Sequence, residues 1–323
     1  MQLDAAYVED LDVDRIEPGT TQRLRVVLGL DVHGMPMGVP VIVRRAAKPG
    51  PIVGLTAAIH GNEINGIRVM HRLFEACPTE RLLCGTLVGV PVINVPGFLT
   101  NSREFHDGAD LNRTMPGKID GNGAQQFAYH FLNKIARTFQ YHIDLHTASF
   151  GRVNTVYARA NMKDPIPAKL ARLMRPEIIV HCSGRDSTLR GAVSALGIPS
   201  VTLEVGDPQA LQYVLIRQSR LGIQEVLEHL EMIPDLEDPE QREPIECTQS
   251  YWMHTDAGGI LDVHPELGEQ FAAGDIVARL TNVWGDEIRT YAAPEAGIVV
   301  GKSTNPVSRP GARILHLGRI GSV

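Results

Sequence analysis

The chain has 323 residues, 43% hydrophobic and 21% charged, enough to bury a full core and to divide into two domains. A net charge of -6, with no lysine- or arginine-rich block, excludes a basic surface for nucleic acid. Acids stand where a secretory leader needs positive charge, and no apolar run is long enough for a membrane span, so the expectation is a soluble cytoplasmic protein. Four cysteines, Cys77, Cys84, Cys182 and Cys247, form no C-x-x-C pair and read as buried free thiols without a role.

In chain order, residues 21–30 and 39–45 read as strands around Gly34 and Gly38 at a sheet edge. Residues 51–59 are small, apolar and β-branched, a strand buried on both faces. It stops at His60-Gly-Asn-Glu63, after which Ile64, Ile67, Met70, Leu73 and Phe74 recur at helical spacing. Residues 85–94 form the next buried strand. The polar loop that follows, 94–123, is too long and too rich in asparagine, aspartate and arginine for a mere connection. An amphipathic helix over 125–139 leads to a short strand at 141–146. Alternation continues through 155–157, 168–174, 178–180, 191–196 and 200–204, and 209–230 is the last long helix. The pattern predicts an α/β fold whose mixed, mainly parallel central sheet is flanked by helices. Residues 233–244 are acidic and punctuated by proline, as a linker is. We place a boundary there, with 1–243 a catalytic domain and 244–323 a small all-β domain of short strands between glycine turns.

His60 and Glu63 fall on the turn at a strand's carboxyl end, where open α/β sheets place their binding crevices. Imidazole nitrogen and carboxylate oxygen are ordinary zinc ligands, and a catalytic site needs three of them with one position left open. An H-x-x-E turn also arises when an acid at a helix start follows an incidental histidine, so a third ligand decides. His146 ends the strand 141–146 and is the best candidate. Asp144, two residues earlier on the same side of that strand, is placed to orient a ligand. Glu204 closes a strongly apolar strand, where a carboxylate needs a cationic neighbour or a task. Beside zinc the task is that of general base. From the polar loop, Arg103 and the run Asp110-Leu-Asn-Arg113 offer guanidinium groups suited to an oxyanion or a substrate carboxylate.

With these residues in place, the sequence resembles the succinylglutamate desuccinylases and aspartoacylases, a family with a zinc carboxypeptidase-like fold. The matching pieces are His60-Gly-Asn-Glu63, Asn94-Val-Pro-Gly97, Asp110-Leu-Asn-Arg113, Asp144-Leu-His146-Thr147 and Glu204-Val-Gly206, in the family's order. The resemblance implies one Zn2+ on His60, Glu63 and His146, and Glu204 as catalytic acid/base. It further implies that Arg103 helps to polarise the scissile carbonyl and that Asn112 and Arg113 hold a substrate carboxylate. A β-rich C-terminal domain bordering the site is also implied. Residues 101–109 depart from the family's stretch around its first arginine, and Arg190 is a further candidate for specificity. The C-terminal part separately resembles a biotinyl/lipoyl sandwich at Gly274-Asp-Ile-Val-Ala278. Residues 282–287 lack the carrier lysine, so it reads as a cap.

The expectation is a zinc-dependent hydrolase that cleaves the amide of a small N-acyl amino acid, with no nucleic-acid or membrane partner; homo-oligomerisation is left open. One rival is a metallocarboxypeptidase acting on short or cell-wall peptides with the same site. Another is a metal-free binding protein whose site has decayed.

Overall fold

A computed structural model describes residues 5–183, 186–235 and 243–323. Most of the expected linker, 236–242, lies outside the described residues. The chain opens with β1 (Ala6–Val8), β2 (Thr20–Leu30) and β3 (Pro36–Arg45). β4 (Ile52–Ala57) leads to α1 (Asn65–Ala76), and β5 (Thr86–Val90) to a short α2 (Val95–Leu99). There follow α3 (Gly123–Lys134), β6 (Tyr141–His146), β7 (Arg152–Asn154), β8 (Val156–Ala160) and α4 (Pro165–Leu173). β9 (Ile178–His181), α5 (Leu189–Ala195), β10 (Ser200–Val205) and α6 (Tyr213–His229) complete this part. The C-terminal strands are β11 (Ile245–His254), β12 (Gly259–Val263), β13 (Gln270–Phe271) and β14 (Ile276–Thr281). They end with β15 (Glu287–Ala292), β16 (Gly297–Ser303), β17 (Val307–Ser308) and β18 (Arg313–Ile320).

One 14-stranded sheet runs β1-β2-β3-β5-β4-β6-β10-β8-β9-β11-β18-β16-β13, with β7 paired to β16. Its centre, β5-β4-β6-β10, is parallel and β8 joins it antiparallel, so the sheet is mixed. β11 pairs in parallel with β9 and antiparallel with β18, which carries the same sheet into the C-terminal strands. A second, four-stranded antiparallel sheet has the order β15-β14-β12-β17. The hydrophilic start, which carries no strand signal, forms β1 along the outer edge of β2. Gly38 lies within β3 rather than in a turn, and a Cβ there would stand 2.7 Å from the Tyr7 ring of β1.

Two apolar clusters flank the central strands. On one face, Leu55 of β4, Ile143 and Leu145 of β6, and Val201 and Leu203 of β10 meet α1 and α6 through Val69, Leu73, Ile223 and Val226. Strand periodicity sends the alternate residues to the opposite face. Gly54, His142 and Ser200 form one row there, Thr56, Asp144 and Thr202 the next, and His146 pairs with Glu204 at the carboxyl ends. α3 covers this face with Phe127 and Phe131, joined by Phe139. Gly54 is required at its position, since a Cβ there would lie 2.3 Å from the Phe139 ring.

Candidate active site

The chain leaves β4 through Ala58 at φ 49°, a left-handed conformation that costs a non-glycine residue roughly 1–3 kcal/mol. Backbone bonds from Ile93 N to Ala57 O (3.1 Å) and from Asn94 N to Ala58 O (2.9 Å) hold it there. Gly61 admits the close approach of the next turn, because a Cβ on it would fall 2.0 Å from the Gly97 carbonyl carbon. Asn94 caps α2 by accepting from Gly97 N at 2.9 Å and donates from Nδ2 to Glu104 O at 3.1 Å. One side chain thereby positions the loop that carries Arg103. At the other side of the turn, Asn65 donates to Val205 O at 2.9 Å and accepts from Gln212 N at 3.1 Å, tying the start of α1 to the end of β10.

His60, Glu63 and His146 are all buried, and one ligand atom from each lies within 4.8 Å of the others. Nδ1 of His60 is 2.7 Å from Glu63 Oε1, and Nδ1 of His146 is 2.9 Å from Glu63 Oε2. Behind each ring stands another carboxylate: Asp110 Oδ1 is 3.1 Å from His60 Nε2, and Asp144 Oδ2 is 2.9 Å from His146 Nε2. Both Nδ1 atoms therefore face one central carboxylate while both Nε2 atoms are backed by an acid, the arrangement that orients imidazoles toward a metal. His60 Nδ1 is buried, close to Oε1, and off the line that a hydrogen bond requires. A buried ring nitrogen left without a hydrogen-bond partner beside a carboxylate fits a cation shared between them. Burial alone would raise the Glu63 pKa, but His60 and His146 overrule it and hold the carboxyl far below its usual range. Burial likewise opposes a charge on His146, and Asp144 with Glu63 raises its pKa well above the ordinary value.

Arg103 binds Glu63 Oε1 through Nη1 at 3.2 Å and Asp110 Oδ2 through Nη2 at 2.8 Å, and Nη1 also donates to Ser149 Oγ. Glu204, at the end of β10, pairs across the sheet with Tyr157 of β8. Tyr157 OH donates to Glu204 Oε1 at 3.3 Å and receives Arg159 Nε at 3.4 Å. Burial raises the Glu204 pKa and the Glu63 charge adds to it, against His146, Arg159 and His60. Asn112 is buried and its Oδ1 accepts from Leu189 N at 2.8 Å, fixing the start of α5. Arg113 is exposed and donates from Nη1 to Asn112 O at 2.8 Å. All these side chains except Leu189 line a cavity of about 560 Å³, bounded also by Arg190, Arg152, Trp252 and Arg313.

A family model described as succinylglutamate desuccinylase/aspartoacylase catalytic domain matches residues 49–230. The chain belongs to that family. It is a family of deacylases. The N-alpha-acetyl-L-2,4-diaminobutyric acid deacetylase of Halomonas elongata is 24% identical over 255 residues, covering 75% of this chain and 73% of that one. A succinylglutamate desuccinylase/aspartoacylase from Rhodobacter sphaeroides superposes with a TM-score of 0.85 at 22% identity, over 97% of this chain and 98% of that one. The product-bound ectoine utilization protein of Ruegeria pomeroyi gives 0.83 at 21% identity, over 93% and 95%. At such identities the solved structures share the fold.

Within this desuccinylase/aspartoacylase site, sequence reasoning missed Tyr157, Arg159, Trp252 and Arg313, and the partnership of Asp110 with His60. Tyr157 and Arg159 carried a signal, since alternate polar residues in β8 break an otherwise apolar strand as Thr202 and Glu204 do in β10. Trp252 and Arg313 carried none, because only the pairing of β11 with β18 brings them to the cavity.

Proposed function

We propose that this family member is a zinc-dependent hydrolase that cleaves the amide bond of N-acyl amino acids, holding one zinc ion on His60, Glu63 and His146. The observation that supports it most is the convergence of two imidazole Nδ1 atoms on the two oxygens of one buried carboxylate, each ring backed by a further acid. A zinc ion held there supplies Lewis-acid polarisation and acidifies water.

In this reading Glu204 takes the proton of the attacking water and delivers it to the amide nitrogen as the C–N bond breaks, so that an acid and a free amine leave. A carboxyl whose pKa is raised by burial suits a group that must both accept and return a proton. Tyr157 fixes the orientation of its Oε1. Among the described residues Arg103 keeps its Nε–H and one Nη2–H beyond the bonds to Glu63, Ser149 and Asp110, and we assign these to the developing oxyanion. Asn112 and Arg113 hold the substrate carboxylate. Residues 1–243 form the catalytic unit, and 244–323 border its cavity with Trp252 and Arg313.

Metal analysis of protein purified without chelator, followed by a screen of N-acyl amino acids read by released amine, tests the reading. We expect about one zinc per chain and amine release that stops on chelation and returns with zinc. Absence of zinc uptake, or of amine from every substrate, would overturn it. Release of C-terminal residues from peptides alone would favour the carboxypeptidase rival.

A further inference from the structure

Ser250 and His316 belong to the C-terminal strands and do not line the cavity, yet a line of side chains runs from them to Glu204. Ser250 and Trp252 share one face of β11, and Trp252 is the register partner of His316 on β18. The buried His316 ring lies nearly flat on the Trp252 ring at 5.1 Å and 11°, and meets the Tyr157 ring edge-on at 5.8 Å and 70°. Its Nε2 is 2.8 Å from Ser250 Oγ and 3.5 Å from Arg159 Nη2. Arg159 Nε stands 3.4 Å from Tyr157 OH, which stands 3.3 Å from Glu204 Oε1.

A guanidinium only donates, so each of the two atoms it meets must accept. Nε2 of His316 is therefore bare, the ring hydrogen sits on Nδ1, and Ser250 donates to the same bare nitrogen. Burial, then the charges of Arg159 and Arg313, push the His316 pKa well below its ordinary value, which keeps the ring neutral and this lone pair open. At the other end the Tyr157 oxygen accepts from Arg159 Nε, which leaves its single proton for Glu204 Oε1. Among the described residues no salt bridge joins Arg159 to Glu204, so the Tyr157 hydroxyl is the link between them. Oε2 of Glu204 makes no hydrogen bond among the described residues, so the chain occupies one carboxylate oxygen and leaves the other for proton transfer. Links of 3.3 to 3.5 Å are long, and they set direction more than they add stability.

We propose that Arg159 is a positioning residue for Glu204, acting through Tyr157, and that His316 and Ser250 of the C-terminal strands hold Arg159 in place for that work. The inference rests on the reading of Glu204 as general base in a deacylase. It gives the C-terminal strands a part in the reaction beyond bordering the cavity.

The zinc-loaded full chain is assayed by amine release on the fastest substrate of the screen above. His316→Phe keeps an aromatic ring on Trp252 and removes the acceptor for Arg159. We expect kcat to fall about tenfold, with KM, zinc content and melting temperature nearly unchanged, because Glu204 is misdirected while substrate and metal contacts remain. His316→Gln, whose amide oxygen can stand where Nε2 stood, should recover most of the loss. In a Tyr157→Phe background His316→Phe should cost nothing further, since the link to Glu204 is already cut. Arg159→Lys keeps the positive charge without the paired Nε and Nη2 donors and should repeat the pattern. In the metal-free protein, nitrogen NMR of the imidazoles should show Nδ1 of His316 protonated and Nε2 bare. A protonated Nε2, a near-native kcat in His316→Phe, or an equal loss with and without the Tyr157 hydroxyl would overturn the positioning chain and leave the deacylase reading standing. No amine from any substrate of the screen would overturn both.

Discussion

Thr56 Oγ1 donates its single proton to Asp144 Oδ1 at 2.6 Å, and that one bond fixes every other proton around the buried histidine beneath the site. Having spent its proton, the hydroxyl can only accept from His142 Nε2 at 2.8 Å, so His142 carries its hydrogen there. Nδ1 of His142 must then accept from Ser200 Oγ at 2.7 Å. Asp144 turns its other oxygen to His146 Nε2 at 2.9 Å, which leaves Nδ1 of His146 toward Glu63. The relay runs across three neighbouring strands in register. Thr56→Val removes the donor at nearly constant volume, and we expect metal affinity to fall about 10–100-fold, the usual effect of losing an outer partner of a ligand. Competition with a chromophoric chelator measures it, and Thr56→Ser should restore the affinity. A valine variant with wild-type affinity would show that the relay does not reach the metal.

Asp110 makes the equivalent contact to His60 and also caps the turn of residues 111–113 by accepting from Asn112 N at 2.9 Å. Asp110→Asn keeps an oxygen for the cap while removing the charge behind the imidazole and the partner of Arg103. We expect about tenfold weaker metal binding with an unchanged melting temperature of the metal-free protein. Equal affinity in variant and parent would confine Asp110 to its capping role.

His142 predicts a specific acid sensitivity. Burial holds its pKa at about 4, below the ordinary 6.5. Between those values the unfolded chain takes up a proton that the folded protein refuses, so stability is lost as pH falls through this window. From pH 7 to pH 5 the loss through this group should be about 2 kcal/mol. In His142→Gln that contribution disappears, although His316, whose pKa burial and Arg159 push well down, retains its own in both proteins. Unfolding free energies of parent and variant that change in parallel with pH would contradict the assignment.

Much of this was legible in the sequence because polar residues at the ends of apolar strands leave short local marks. His60 and Glu63 break an apolar run, and His146 and Glu204 close two others, so the alternation of strands and helices was enough to bring them to the carboxyl ends of the central strands. The polar rows of β4, β6 and β10 were harder to see. Thr56, His142 and Ser200 look like interruptions in buried strands until the register pairs Thr56 with Asp144 and His142 with Ser200. Least visible was the contribution of the C-terminal strands, since Trp252 and Arg313 lie about sixty residues apart and far from the motifs. The side chain of Asn112 also proved to serve α5, a contact that sequence spacing does not disclose.

Glu204 offers the sharpest test, because its proposed work is separable from metal binding. It is not one of the three clustered residues, and among the described residues its side-chain hydrogen bond is with Tyr157. Glu204→Gln keeps the shape and an acceptor for the tyrosine while removing the proton acceptor, so zinc content and fold should survive. Turnover should fall by about 10²–10⁴, as expected for a lost general base. A structural carboxylate paired with Arg159 would behave otherwise: its loss would leave a buried cation uncompensated, lower the melting temperature and reduce turnover only with the folded fraction. Measuring zinc content, melting temperature and kcat on the same preparation separates the two cases. A folded, zinc-replete Glu204→Gln protein with near-native turnover would remove Glu204 from the chemistry.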